Sequence, residues 1–289
     1  MKNKPLHIPV VAIIGVGLIG GSLALALKAA GVADRVLGYD LDAHNLEQAL
    51  QLGVIDQICI SPEELSAADL IFLATPVLAM PAALTTIAPY LKTGAILTDG
   101  GSVKAAVISV LEPLLPAKLR YVPGHPISGT ERNGATAAFA TLYRGKRCIL
   151  TPTERTDPQA LDLVTALWQA AGSEVIIMDA EKHDRILAAI SHLPHMVAYA
   201  LVNAVGAYDR YEENILLYSA GGFRDFTRIA SSDPTMWRDI ALTNREALLE
   251  MIERFEADLA GLKEAIRIAD APALHSYFLR SKLNRDAIL

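Results

Sequence analysis

The 289-residue chain predicts an α/β fold, a doubly wound parallel sheet followed by an all-α dimerisation domain. Three observations predict it. An apolar run, Val10-Val11-Ala12-Ile13-Ile14, passes directly into the glycine-rich turn Gly15-Val16-Gly17-Leu18-Ile19-Gly20-Gly21. Short apolar runs then alternate with amphipathic stretches as far as residue 178, which implies right-handed crossovers between parallel strands. From residue 179 the apolar period becomes that of helices, so the chain divides into 1–178 and 179–289.

The first turn leads into the apolar helix that begins at Leu23 and stops at Gly31, a glycine C-cap. Residues 35–39 are predicted as the second strand, 43–52 as a polar helix capped by Gly53, and 54–60 as a short strand. Residues 69–74 read as a buried strand ending at Thr75-Pro76, 80–91 as a helix and 95–99 as the next strand. A helix over 102–115, strands over 120–123 and 147–150, a helix over 158–171 and a strand over 174–178 complete the first half. The second half is expected to be helical over 180–205, 216–228, 234–270 and from Pro272 onward. In the third of these, Trp237, Ile240, Leu248, Ile252, Phe255, Leu259, Leu262 and Ile266 recur at three- and four-residue steps. So long an apolar stripe needs a second surface, and a homodimer through this half is expected.

The glycines carry the first chemical reading. In a strand-turn-helix GxGxxG, the first glycine allows the tight turn, the second lets a pyrophosphate approach, and the third packs helix on strand. Free N–H groups at the helix start then attract the phosphates. Asp40, at the end of the second strand and about 20 residues past Gly20, stands where an acid accepts hydrogen bonds from the adenosine ribose and repels a 2′-phosphate. NAD is therefore the expected cofactor, held by Gly15, Gly17, Leu18, Ile19, Gly20 and Asp40, with Thr75 and Pro76 at the next strand end. The alternative is a packing turn with Asp40 as a helix N-cap.

Composition narrows the setting. A formal net charge of −6 and the lack of any Lys/Arg block argue against nucleic-acid binding. Residues 10–32 and 186–205 are apolar enough to suggest membrane spans. The first contains the glycine cluster and the second His192, Pro194, His195 and Asn203, so neither is expected in a membrane. Cys59 and Cys148 each sit in an apolar run and read as reduced core thiols. The first nine residues lack a secretory pattern, and a cytoplasmic location is expected.

Ligands of doubly wound sheets lie beyond the carboxyl ends of the strands, and two loops there stand out. Gly100-Gly101-Ser102-Val103-Lys104 offers a hydroxyl, as substrate contact or N-cap of the next helix. Pro123-Gly124-His125-Pro126-Ile127-Ser128-Gly129-Thr130-Glu131 holds a histidine at the mouth of a strand. A neutral imidazole there can accept the proton of a substrate hydroxyl while hydride leaves the same carbon, unless it only ties the loop. Further on, His192 and His195 lie three apart. With no third ligand evident, substrate contact or burial is expected rather than a metal. Arg224 and Arg228 suit a substrate carboxylate, or an ion pair with Asp225 or Glu131.

The motifs GVGLIGGS, DGGSVK, GHPISGTE, HDRILAAISHLPH and GGFRDFTRIASSDPTMW, in that order along nearly the whole chain, resemble the prephenate/arogenate dehydrogenase family of tyrosine biosynthesis. The resemblance implies an NAD-dependent oxidative decarboxylation: hydride leaves ring carbon 4, carbon dioxide leaves carbon 1, and aromatisation drives the step. It further implies His125 as acceptor of the 4-hydroxyl hydrogen bond, with Ser102 beside it, and Arg228 as carboxylate ligand. His195, His192, Thr130 and Glu131 are substrate-side residues on the same basis, and Glu131, Asp184 and Asp225 would form an ionic network at the pocket mouth. Prephenate and arogenate are not distinguished. Two other readings compete: a hydroxyacid dehydrogenase or imine reductase, whose catalytic lysine has no evident match in Lys182, and a dinucleotide-sensing regulator.

Overall fold

In a computed structural model describing residues 6–208 and 215–288, the first half builds a six-stranded parallel sheet with helices on both faces. Its elements are β1 (Ile8–Ile14), α1 (Leu18–Ala29), β2 (Ala33–Tyr39), α2 (Ala43–Gln51), β3 (Gln57–Ile58), β4 (Leu70–Leu73), α3 (Met80–Ile87), β5 (Ile96–Asp99), α4 (Ala105–Leu111) and β6 (Arg120–Val122). The order β3-β2-β1-β4-β5-β6 reverses direction beside β1, the position at which open α/β sheets bind ligands. The central strands are buried on both faces, which explains why they read as continuous apolar runs rather than alternating ones. One core cluster packs Val11, Ile13 and Phe72 against Trp168 and α1. The other packs Ile14, Ile71 and Leu97 against Leu84 and Leu111.

The strands expected after residue 123 do not extend this sheet. Pro123 ends β6, and β7 (Gly124–Pro126) pairs antiparallel with β8 (Arg147–Leu150), which pairs in parallel with β9 (Glu174–Ile177); α5 (Pro158–Ala170) connects the last two. His125 therefore sits on a strand opposite Ile149, not in the loop the sequence suggested.

The second half is helical: α6 (Ala180–Leu187), a π-helical turn over Ala188–His192, α7 (Leu193–Tyr208), α8 (Gly221–Thr227), α9 (Pro234–Thr243), α10 (Arg245–Arg267) and α11 (Ala271–Asp286). Two expected helices are interrupted. The one expected over 216–228 is a 3-10 turn over Ile215–Tyr218 followed by α8. The one expected over 234–270 breaks at Asn244, whose φ of −107° and ψ of 34° end α9 before α10 begins. Trp237, Ile240 and Leu248 bury their part of the long stripe within the chain. Phe255, Leu259 and Ile266 remain exposed, as do Phe278, Leu279 and Leu283 of α11.

Candidate active site

The glycine loop has the shape a dinucleotide needs. Gly15 has a φ of +91°, and a Cβ there would lie 2.8 Å from the Ala74 carbonyl oxygen. A Cβ on Gly20 would lie 2.3 Å from the Gly15 carbonyl oxygen and 2.6 Å from Ile13, so only glycine lets α1 settle on β1. Gly17 faces open space, the side on which a pyrophosphate would approach the start of α1. The Val16 peptide between them is clamped: its N–H donates to Asp40 Oδ2 at 2.8 Å, and its carbonyl accepts from Asn45 Nδ2 at 2.9 Å. The N-cap of α2 is Asp42, not Asp40. Leu18 is buried and Ile19 half-buried at the start of α1, Pro76 is exposed, and the Thr75 hydroxyl is buried with no partner among the described residues. A cradle with an open glycine face, an orphan hydroxyl and a carboxylate at the end of β2 fits a ribose-linked pyrophosphate.

Beyond β5 and β6, a buried ion pair locks two segments together. Asp99, the last residue of β5, and Lys104, just before α4, are both fully buried and paired. Asp99 also accepts from Gly101 N–H at 2.8 Å, from the Tyr121 hydroxyl at 2.7 Å and from Gly124 N–H at 3.3 Å. Lys104 Nζ donates to the Gly124 carbonyl at 2.5 Å. Burial and the Asp99 charge push the Tyr121 phenol well above its ordinary pKa, so it stays a donor. The clamp fixes the segment carrying Ser102 against the strand carrying His125.

His125 is 8% exposed, and its Nδ1 lies 2.8 Å from Nε2 of His183 on α6. His183 Nδ1 lies 2.7 Å from Asp184 Oδ1, and Asp184 accepts the N–H groups of Lys104 and Ala105 at 2.8 and 2.9 Å. Asp184 thus supplies the cap of α4 from the other domain. Ser102 is not the cap, and its half-buried hydroxyl makes no hydrogen bond among the described residues. Nor does Asp184 stand at a pocket mouth: it is 5% exposed. Burial, reinforced by neighbouring His183, Lys104 and His192, holds the His125 pKa well below its ordinary value.

Pro194 has no N–H to offer the carbonyl of Ile190, and the chain widens into the π turn immediately before it, a distortion common at functional sites. His192 is buried, its pKa lowered to about 4 mainly by desolvation, and its Nδ1 lies 3.0 Å from Asn244 Nδ2. The Asn244 amide also donates to the Asp184 carbonyl at 2.9 Å, which accounts for the break between α9 and α10. His195 Nδ1 donates to the Ser191 carbonyl at 2.8 Å, and its ring stacks on Trp237 at 3.7 Å. Trp237, which the sequence suggested as part of a dimer stripe, instead packs with Val103 and Ile240 beside this histidine.

Arg228 meets Glu131 at 3.1 Å, both exposed, so the ion-pair alternative is realised across the two halves. Thr130 is exposed on the same loop, its hydroxyl accepting from Arg132 N–H at 3.2 Å. Asp225 is exposed and has no ion pair among the described residues. The residues missed by sequence reading are His183, Asn244, Trp237 and Tyr121. Only His183 left a signal, its adjacency to Asp184 in the HDR motif. A depression of about 260 Å³ at the amino ends of β1, β4 and β5 lies at the opposite edge of the sheet, and its Lys92 is already paired with Asp69 at 2.5 Å.

Residues 23–177 match the family described as prephenate dehydrogenase, nucleotide-binding domain, and residues 179–280 the prephenate dehydrogenase dimerization domain. The chain is 41% identical over 280 residues to the cyclohexadienyl dehydrogenase of Zymomonas mobilis, covering 96% of this chain and 95% of that one. Its fold matches the crystal structure of prephenate dehydrogenase from A. aeolicus in complex with hydroxyphenyl propionate and NAD+, with a TM-score of 0.92 and 40% identity over 99% of this chain and 100% of that one. It also matches Synechocystis arogenate dehydrogenase, with a TM-score of 0.78 and 29% identity over 97% and 100% of the two chains.

Proposed function

Because the chain belongs to the prephenate dehydrogenase family, we propose that its two halves form one site in which His125 accepts a hydrogen bond from the substrate 4-hydroxyl. The reaction is the NAD-dependent oxidative decarboxylation of prephenate to 4-hydroxyphenylpyruvate, a step of tyrosine biosynthesis. NAD, when bound, takes the hydride from ring carbon 4. The C1–carboxylate bond breaks, its electron pair enters the ring, and the 4-hydroxyl proton ends on the phenol, so no net proton is lost.

The chain's residues do the rest. Gly15, Gly17 and Gly20, with Leu18 and Ile19, hold the pyrophosphate at α1; Asp40 faces the ribose, and Thr75 and Pro76 border the same cleft. Neutral His125 polarises the 4-hydroxyl as carbonyl character develops at carbon 4, with Ser102 held beside it by the Asp99–Lys104 clamp. Arg228, released in part from Glu131, takes a substrate carboxylate, and His195, His192 and Thr130 complete the substrate side. One observation supports the reading: a buried histidine, its pKa held well below the ordinary value and its second nitrogen without a partner among the described residues, lies just past the carboxyl end of β6, in the half whose β1–α1 turn forms the glycine cradle.

The test is to mix protein, NAD and prephenate, follow NADH absorbance, and repeat with arogenate to compare kcat/KM. NADH formation is expected with at least one of them, and none with either would end the reading. Asp40→Asn keeps an oxygen for Val16 N–H but loses the charge. It is expected to raise KM for NAD by about 10- to 100-fold, the scale of one hydrogen bond to a charged group, and to raise the NADP/NAD ratio of kcat/KM. An unchanged ratio would remove Asp40 from the ribose site.

A second copy of the chain is the proposed cover for the exposed apolar faces of α10 and α11. The helical stretch 180–208 is long and apolar enough to cross a membrane, and only 22% of its most apolar window is buried within the chain. It also carries His183, Asp184, His192 and His195, polar groups built into the site. A soluble cytoplasmic dimer therefore accounts for it better than lipid.

A further inference from the structure

We propose that His183 and Asp184 form a positioning relay that fixes which nitrogen of His125 carries the proton and shares the charge that develops there. The proposal rests on His125 being the acceptor of the substrate hydroxyl.

The assignment follows from the hydrogen-bond chemistry of three buried groups. The Asp184 carboxylate already accepts two backbone N–H groups at the start of α4, so towards His183 it acts as an acceptor. His183 must then carry its proton on Nδ1. In the neutral ring this leaves Nε2 as a lone pair, which can only accept from His125 Nδ1–H. With its proton committed to Nδ1, His125 presents Nε2 as a bare acceptor, the form needed by a substrate hydroxyl. The relay ends on a carboxylate, so positive character gained by His125 in the transition state spreads to His183 and is opposed by Asp184. No proton leaves: the 4-hydroxyl proton is shared with Nε2 as the C4–H bond breaks, then returns to the phenol oxygen.

Protonation inverts the relay. With N–H on both its nitrogens, His183 donates to His125 Nδ1, and His125 can then present only N–H to the substrate. The groups facing His183 are Asp184 on its own helix, Lys104 and Asp99 at the start of α4 and the end of β5, His192 in the π turn, and His125 itself. Burial outweighs the two carboxylates and lowers the pKa of His183, and it lowers that of His125 as well. The active arrangement is thus kept at neutral pH and lost as the pH falls through the lowered, coupled values.

Two variants separate a relay from a structural staple. His183 Nδ1 shares Asp184 Oδ1 with the Lys104 N–H, while the Ala105 N–H has Oδ2. In Asp184→Asn, the oxygen keeps the Ala105 N–H, and the amide nitrogen in the Oδ1 place donates to His183 Nδ1 at the expense of the Lys104 bond, reversing both rings; kcat is expected to fall by roughly 10²- to 10⁴-fold, the cost of a wrong tautomer. In His183→Gln, the side-chain oxygen still accepts from His125 Nδ1. The tautomer survives, the link to the carboxylate is lost, kcat falls by roughly tenfold, and the acid limb of the kcat profile shifts. KM for substrate and the NADH dissociation constant should stay within about threefold in both. The order, Asn at 184 worse than Gln at 183 whatever their melting temperatures, is the signature; losses that track melting temperature, or wild-type kcat with an unmoved acid limb, overturn the relay. Nitrogen-15 NMR of wild-type protein labelled at histidine decides independently of variant folding. His125 protonated on Nδ1 supports the relay, and protonation on Nε2 overturns it. His125→Asn in the same assay tests the underlying reading: if it turns over normally the whole site assignment falls, and if it is inactive while the relay variants are unaffected only the relay does.

Discussion

His125→Asn is expected to lower kcat by roughly 10²- to 10⁴-fold while leaving the NADH dissociation constant within about twofold of wild type. The magnitude follows from what the imidazole does. Hydride departure turns the C4 hydroxyl towards a protonated carbonyl, and the only relief for its growing acidity is an acceptor already in place. Asparagine is smaller, but its amide stands where Nδ1 stood and can still meet His183, so the link between β7 and α6 survives. Its remaining group lies too far back to reach a hydroxyl where Nε2 stood. The stabilisation lost belongs to the transition state alone, so KM should move little. The measurement is steady-state NADH formation together with NADH fluorescence titration. Turnover within threefold of wild type would remove His125 from the chemistry.

The sheet and its cofactor loop were legible because each depends on local pattern. Central strands buried on both faces must be apolar throughout, and glycines are required where a Cβ would strike the backbone, as at Gly15 and Gly20. The break at Asn244 was not legible, since propensity and period favour a continuous helix there. What ends α9 is a side-chain amide drawn to Asp184 and His192, respectively 60 and 52 residues away in sequence. The same holds for the cap of α4. A sequence reader looks for a local Ser or Asp and finds Ser102, whereas the cap comes from Asp184 across the domain boundary. His183 was hidden for a related reason: on a helix rich in charged residues its neighbours suggest solvent, and only the fold shows it fully buried. Local signals thus located the cofactor half, while the substrate half depends on contacts between distant segments.

Lys104 is where that dependence reaches stability, and Lys104→Met is expected to destabilise the protein by about 3–5 kcal/mol. Both members of the Asp99–Lys104 pair are fully buried. Methionine matches the length and fills the space, so the cost is not a cavity. It is the Asp99 carboxylate left without its counter-ion, with only the Tyr121 hydroxyl and the Gly101 and Gly124 N–H groups to solvate it. At the scale for a chain of this size, the melting temperature should fall by roughly 10 °C. Adding Asp99→Asn removes the stranded charge, so the double variant should recover a substantial part of the loss, a coupling that unrelated sites would not show. A Lys104→Met midpoint within experimental scatter of wild type would mean the pair contributes nothing net. The catalytic consequence is separate. Lys104 Nζ also holds the carbonyl of Gly124, the residue before His125, so even the recovered double variant should retain a reduced kcat, because Ser102 and His125 are then no longer bound to one rigid clamp.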